Sequence, residues 1–243
     1  MRSMPLALSA LSAGVLALAA GPALAGTGQQ SPIDIPTADV PVDASLPALE
    51  IDYPEATTVT VEYIRKDADD PEGCTTRDPE ETIEAHVPHG AASVTVGGKE
   101  FELQQLHFHT PSEHLVDGDA TPVEQHLVHQ AADGELLVLG VRIEQGAPSE
   151  VDTVLADPPA ECGPDSERAG VDLRALLPED LSSYRYTGSL TTSPFTGGVN
   201  WAVFAETVTA SPGAIGDLDA VFPEHNARDV QPLTGPIALR PQS

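Results

Sequence analysis

Short runs in which apolar and polar residues alternate recur along this chain, and that two-residue period belongs to strands rather than helices. Thr57 to Tyr63 is one such run, with Val59, Val61 and Tyr63 on one side. Thr82 to Val87 is another. Ser93–Val96 and Lys99–Leu103 flank Gly97-Gly98, a two-residue hairpin signal, and Gln104 to His109 follows. Thr121–Gln130 and Leu136–Glu144 are separated by a turn at Ala131-Ala132-Asp133-Gly134. Ser189–Thr192 and Asn200–Val208 are late strands. Only Val151–Leu155 and Asp172–Leu177 carry helical patterns, the second opened by Asp172 as N-cap and stopped by Pro178. Ser31 to Leu49 is extended chain with turns, Lys66 to Glu81 a charged surface loop, and the tail with Pro223, Pro232, Pro236 and Pro241 largely irregular. The pattern predicts a mainly β (α+β) single domain: a central twisted, largely antiparallel sheet with a few short helices.

The 243 residues suffice for one domain with a substantial core. The first 25 stand outside it. Arg2 gives a positive start, Leu6 to Ala20 is a short apolar run broken by Ser9, Ser12 and Gly14, and Ala23-Leu24-Ala25 is a small-x-small cleavage pattern. Residues 1–25 are therefore expected to be a signal peptide, leaving a mature domain of 26–243 that is secreted or extracytoplasmic, without membrane insertion. No cysteine follows Ala25 to carry a lipid.

Acidic residues outnumber basic ones 38 to 11, for a formal net charge of −27. Such a surface repels nucleic acid and anionic membranes. A saline medium, where salt screens the self-repulsion, and ordinary acidity of an exported protein are both open explanations. Cys74 and Cys162 are the two cysteines. An even count in an exported chain favours a disulfide, with two free thiols as the alternative. A bridge across so long a loop contributes ~4–5 kcal/mol if chain entropy alone sets its value.

The chemistry concentrates in two strands. Gln105, His107 and His109 share one face by alternation, and so do Glu124 and His126. Side by side, the strands let three imidazoles converge beside a carboxylate and an amide. Three neutral histidines leave one position of a tetrahedral Zn²⁺ open, the arrangement of catalytic rather than structural zinc. His129 points away from His126's face, and His114 and His129 are taken as structural. His86, His89 and His225 are taken as solvated.

Several stretches together resemble the alpha-class carbonic anhydrases, of the secreted bacterial type. They are Gln30-Ser31-Pro32-Ile33-Asp34-Ile35, Leu103 through His114, Glu124 through His129, Tyr186 through Pro194, Val199-Asn200-Trp201 and Asn226 through Leu233. The resemblance spans nearly all of the mature chain. It implies that family's fold and reversible hydration of carbon dioxide to bicarbonate and a proton, by a hydroxide on zinc held by His107, His109 and His126. It implies Thr191 as the hydroxyl that orients the nucleophile and Glu113 as the carboxylate that takes the Thr191 proton. Gln105, Glu124 and Asn226 would steady the ligands. Thr192 would line the bicarbonate position, and Val128, Val138, Leu190, Val199 and Trp201 an apolar pocket. The partner so implied is a small substrate; the sequence points to no particular protein partner. Weak ester hydrolysis is an expected side activity.

Three departures qualify the resemblance. The family's aromatic N-terminal segment has only Gly26 to Gln29 in its place. The relay histidine of fast members aligns with Glu81; a solvated carboxylate, with a pKa of roughly 4.3, relays protons poorly at neutral pH, so a slower, buffer-dependent enzyme is expected. The usual disulfide positions lack cysteines, so Cys74–Cys162 would be a different bridge. The rival readings are a non-catalytic relative that binds a partner, and an exported zinc-binding protein. All three zinc histidines are present, which argues against the first; no histidine-rich tract is present, which argues against the second.

Overall fold

The computed structural model describes residues 28–66, 74 and 78–242. The expected leader and most of the loop carrying Cys74 lie outside the described residues. Fourteen strands and two α-helices are described. In chain order the strands are β1 (Asp34–Ile35), β2 (Leu49–Asp52), β3 (Thr57–Ile64), β4 (Thr82–His86), β5 (Ser93–Val96), β6 (Lys99–His109) and β7 (Leu115–Val116). They continue with β8 (Val123–Gln130), β9 (Leu136–Gln145), β10 (Ser166–Val171), β11 (Ser183–Ser189), β12 (Gly197–Phe204), β13 (Val208–Ala210) and β14 (Ala238–Arg240). The helices are α1 (Glu150–Val154) and α2 (Pro212–Val221). No described helix is long and apolar enough to cross a membrane.

Twelve strands form one mixed sheet, in the order β10-β3-β4-β6-β8-β9-β12-β11-β14, with β13 beside β9 and β2 and β5 continuing from β6. Most pairings are antiparallel; β12 and β13 run parallel to β9. The β5–β6 hairpin turns at Gly97-Gly98, both with positive φ, as a two-residue turn of matching twist requires. What the sequence separated as Lys99–Leu103 and Gln104–His109 is one eleven-residue strand.

Alternation along β6 explains how the sheet both packs and presents chemistry. Leu106 and Phe108 point into the large core, with Val59, Ile83, Leu127, Leu139 and Phe204. Val151, Val154, Ile215 and Leu218 of the two helices join that core. His107 and His109 point to the other face. There β8, β9, β12 and β11 add a second apolar cluster that includes Val128, Val138, Val199, Trp201, Tyr184 and Tyr186. β8 is buried along nearly its whole length because both of its faces are covered.

Three expectations need correction. Ser189–Thr192 is not a strand: β11 ends at Ser189, and Thr191 and Thr192 lie in a turn where the Phe195 N–H donates to the Thr192 carbonyl (2.8 Å). The tail contains α2, capped by the Ser211 hydroxyl, which accepts from the Ala214 N–H with Pro212 in the first turn. Between Glu150–Val154 and Asp172 the chain adds β10 on β3, with only Ala169, Val171 and its neighbours giving weak alternation to mark it. Asp172 does act at the start of the short 3₁₀ turn Arg174–Leu176, accepting from two backbone N–H groups. Cys74 and Cys162 are joined in a disulfide, which fastens the charged loop to the segment before β10.

Candidate metal centre

Pairing of β6 with β8 puts His107 directly opposite His126, and His109 opposite Glu124. One nitrogen from each of His107, His109 and His126 falls within 4.8 Å of the others. Every ring is held through its second nitrogen. His107 Nδ1 meets Gln105 Oε1 at 2.8 Å, His109 Nδ1 meets the Asn226 carbonyl at 3.0 Å, and His126 Nε2 meets Glu124 Oε1 at 3.0 Å. Amide, carbonyl and carboxylate oxygens only accept, so these nitrogens carry the protons. The lone pairs of His107 Nε2, His109 Nε2 and His126 Nδ1 are left for the common centre. His109 Nε2 is buried with no hydrogen-bond partner.

Burial reinforces the neutral state. It drives the His107 imidazole well below the ordinary value, and the neighbouring His109 and His126 add repulsion. Burial also lowers His109 and His126, partly offset by the Asn226 carbonyl for the one and by Glu124 for the other. Neutral imidazole is the ligand form.

Behind this centre lies a buried polar chain that the sequence did not display as a unit. Glu124 takes the His126 N–H, the His114 Nδ1–H (2.8 Å) and the His114 backbone N–H (2.8 Å). Burial pushes its carboxyl up, but the interactions with His114 and His126 prevail and hold it well below the carboxylate range. His114 Nε2 lies 2.7 Å from the Tyr186 hydroxyl, which in turn lies 2.8 Å from Ser31 Oγ. The sequence signal for Tyr186 and Ser31 is the polar tip of a tyrosine on an otherwise apolar strand face. His129, on the other face, contacts the Tyr53 hydroxyl and the Leu137 carbonyl. Asn226 supports His109 through its backbone, while its side chain bonds the Thr110 N–H and the Glu81 and Phe108 carbonyls.

Glu113 is buried beside the triad. Its Oε1 accepts the Arg228 backbone N–H (2.8 Å) and its Oε2 has no partner within hydrogen-bond geometry. Burial raises its pKa to about 7, opposed by the adjacent His126, the Arg228 N–H and, more weakly, the Thr191 hydroxyl. Thr191 and Thr192 line a cavity of about 200 Å³, with the three histidines, Gln105, Val128, Val138, Leu190 and Trp201. Val199 is buried in the same apolar cluster and does not line the cavity. A larger cavity of about 590 Å³, between Pro41, Phe101, Arg185 and Pro236, contains none of the three histidines.

A family profile described as eukaryotic-type carbonic anhydrase matches residues 20–239. This chain belongs to that alpha carbonic anhydrase family. A carbonic anhydrase of Pectobacterium carotovorum is 38% identical over 160 residues, which are 65% of this chain and 65% of that protein. The chain thus matches just under two thirds of that relative's length. A carbonic anhydrase of Neisseria gonorrhoeae is 31% identical over 218 residues, 89% of this chain and 79% of that one. Among solved structures, the alpha carbonic anhydrase of Thermovibrio ammonificans, in complex with the inhibitor sulfanilamide, superposes with a TM-score of 0.73 at 36% identity. That match covers 87% of this chain and 86% of the other.

The relay position differs from its expectation within the family. Glu81 is not a solvated carboxylate: it is 1% exposed, takes the Tyr63 hydroxyl (2.6 Å) and the Lys66 N–H, and does not line the cavity. Two acids line the wall there: Glu80, one residue before, and Glu84, three residues on, whose pKa burial raises to about 7. His86 is not freely solvated either, since its Nε2 bonds Glu62. His89 and His225 are exposed, His89 beside Glu102.

Proposed function

We propose that this chain catalyses the reversible hydration of carbon dioxide to bicarbonate and a proton, with Zn²⁺ held by His107, His109 and His126. The observation that carries the reading is the unpartnered, buried Nε2 of His109, aimed with two other imidazole lone pairs at one point. Neutral imidazoles fixed by outer hydrogen bonds are the donor set that suits zinc. When bound, zinc supplies the positive charge that brings the pKa of water to about 7, a magnitude that belongs to this enzyme class itself.

The chain's own residues do the rest. Gln105, the Asn226 carbonyl and Glu124 hold the three rings in one tautomer each. Glu113, buried beside the triad and interacting with the Thr191 side chain, is the acceptor for the threonine O–H hydrogen bond. That leaves the Thr191 oxygen free to accept from the nucleophile and to fix its direction. Val128, Val138, Leu190 and Trp201 give an uncharged, apolar substrate a dry wall, and Thr192 offers a polar edge for the charged product. No imidazole outside the triad lines the described cavity, so proton export falls to external buffer and the rate stays below that of relatives with a relay histidine. The leader pattern and the disulfide support export to an oxidising compartment.

Stopped-flow hydration of carbon dioxide, with and without chelator, tests the reading. His107→Ala is expected to lose the triad's zinc and activity together. A His107→Ala protein that turns over normally removes the mechanism.

A further inference from the structure

The row of strand partners that contains His107 continues outward into a second group of donors. His126 pairs with His107, His107 with Glu84, and Glu84 with Glu62. Direct partners project to the same side of a sheet, and His86, two residues after Glu84, shares that side. Glu62, Glu84 and His86 therefore form a cluster on three fixed backbone positions, on the two strands beyond the triad. A ligand atom from each lies within 4.8 Å of the others.

The group differs from an ordinary acidic surface patch in three respects. It includes an imidazole. His86 Nε2 contacts an oxygen of both carboxylates, Glu62 closely and Glu84 at 3.2 Å. It is also partly withdrawn from water, with side-chain exposures of 14% for Glu84, 31% for Glu62 and 44% for His86. And its charge is poorly balanced: the charges acting on Glu84 are those of His86 and of Glu62, the latter repulsive. No lysine or arginine pairs with either carboxylate among the described residues. Two carboxylates held side by side in a low-dielectric wall ionise together only at a cost, which a shared cation removes.

We propose that Glu62, Glu84 and His86 form a second divalent-cation site, of the borderline transition-ion class that includes Zn²⁺, beside the same cavity, whose wall Glu84 lines. One imidazole with two carboxylates favours zinc or its neighbours over calcium or magnesium, which prefer all-oxygen shells. In the Nδ1–H tautomer of His86 the Nε2 lone pair is the metal donor, and each carboxylate contributes one oxygen. Solvent reaches His86 and Glu62, which gives the ion an entry path and its remaining ligands as water.

The test is zinc stoichiometry. Chelator-stripped mature protein is dialysed against buffered Zn²⁺ and analysed by atomic emission. Wild type is expected to hold two equivalents. His86→Asn and Glu62→Gln should each hold one, and so should His107→Ala; combining His107→Ala with His86→Asn should remove both. Saturation of wild type at one equivalent, or two equivalents persisting in His86→Asn, overturns the proposal. Retention of a single ion by His107→Ala that is lost only with His86→Asn separates this site from the catalytic one. In wild type, the His86 imidazole NMR signal should move only after the first equivalent is filled; an unmoved signal overturns the proposal without any variant.

Discussion

Gly140 is a residue outside the triad whose substitution should weaken metal binding, and the structure sets how. It sits on β9 opposite His126. A Cβ added there would lie 2.9 Å from Glu124 Oε1, the atom that accepts from both His126 Nε2 and His114 Nδ1. Retreat of the methyl is blocked by Val203 Cγ2 at 3.4 Å and Trp201 Cζ3 at 3.7 Å. The carboxylate has to yield instead. An ordinary contact begins near 3.4 Å, so Oε1 must move by roughly 0.5 Å. Moved along the His126 bond, that carries a 3.0 Å contact to the outer limit of hydrogen bonding.

Gly140→Ala thus removes the support of one ligand and touches no ligand. Loss of such support typically costs 10- to 100-fold in metal affinity, about 1.4–2.8 kcal/mol. Competition against a chelator of known zinc affinity measures it, with circular dichroism and the melting temperature followed alongside. Gly216→Ala in α2 is the matched control, because nothing lies within 4 Å of its added carbon. It should leave zinc affinity unchanged. If Gly140→Ala keeps a native spectrum and binds zinc within twofold of wild type, the Glu124–His126 bond does not steady the site as argued.

Three further outcomes are expected. Thr191→Ala should retain zinc by elemental analysis yet lose at least about 100-fold in kcat, the scale of a lost orienting hydrogen bond in the transition state; a loss under fivefold would refute the role. Turnover at pH 7 should climb with imidazole buffer concentration, because no relay imidazole lines the cavity and Glu81 is walled off; a buffer-independent rate would refute that. Burial lowers the His129 pKa to about 4 against 6.5 unfolded. The unfolded chain therefore takes up the proton first, and stability falls as pH drops from 6.5 to 4. This group alone accounts for about 3 kcal/mol at 1.36 kcal/mol per pKa unit. Urea unfolding of wild type and His129→Asn at pH 7 and pH 4 should show the variant losing less; equal losses would refute the assignment.

Legibility in the sequence followed the two-residue period. β3, β4, β5, β8 and β9 were visible because each alternates strongly or is framed by turn residues. β10 was not, since Ser166–Val171 has charged residues at two positions and a glycine at Gly170, and pairs only as an outer strand on β3. α2 was missed for a different reason. Its ten residues contain Gly213 and Gly216 and two aspartates, poor helix formers, and the helix is held by its Ser211 cap and by burial of Ala214, Ile215 and Leu218. Thr191 was misplaced on a strand because threonines favour strands by propensity. The register on β12 ends the ladder earlier, with an irregularity between Gly188 and Ser189 that turns the threonines toward the cavity.

The triad was legible because alternation fixes faces within a strand, but its environment depends on which strands become neighbours. The parallel pairing of β12 with β9 is the decisive case. It sets Trp201 beside Val138 and Val203 beside Gly140, and so brings an apolar wall against His126 and the added-methyl space of Gly140 to nothing. Trp201 then stacks near Tyr186 and contacts the His126 and His114 rings, with its indole N–H given to the Ser189 carbonyl just ahead of Leu190 and Thr191. One crossover therefore positions the apolar wall, the threonine turn and the support of His126 together. The same logic reaches outward on the other side, where β4 and β3 extend the histidine row into Glu84 and Glu62. Neighbouring strands far apart in sequence decide the chemistry beside a metal, which is why the ligands could be named from spacing and their surroundings could not.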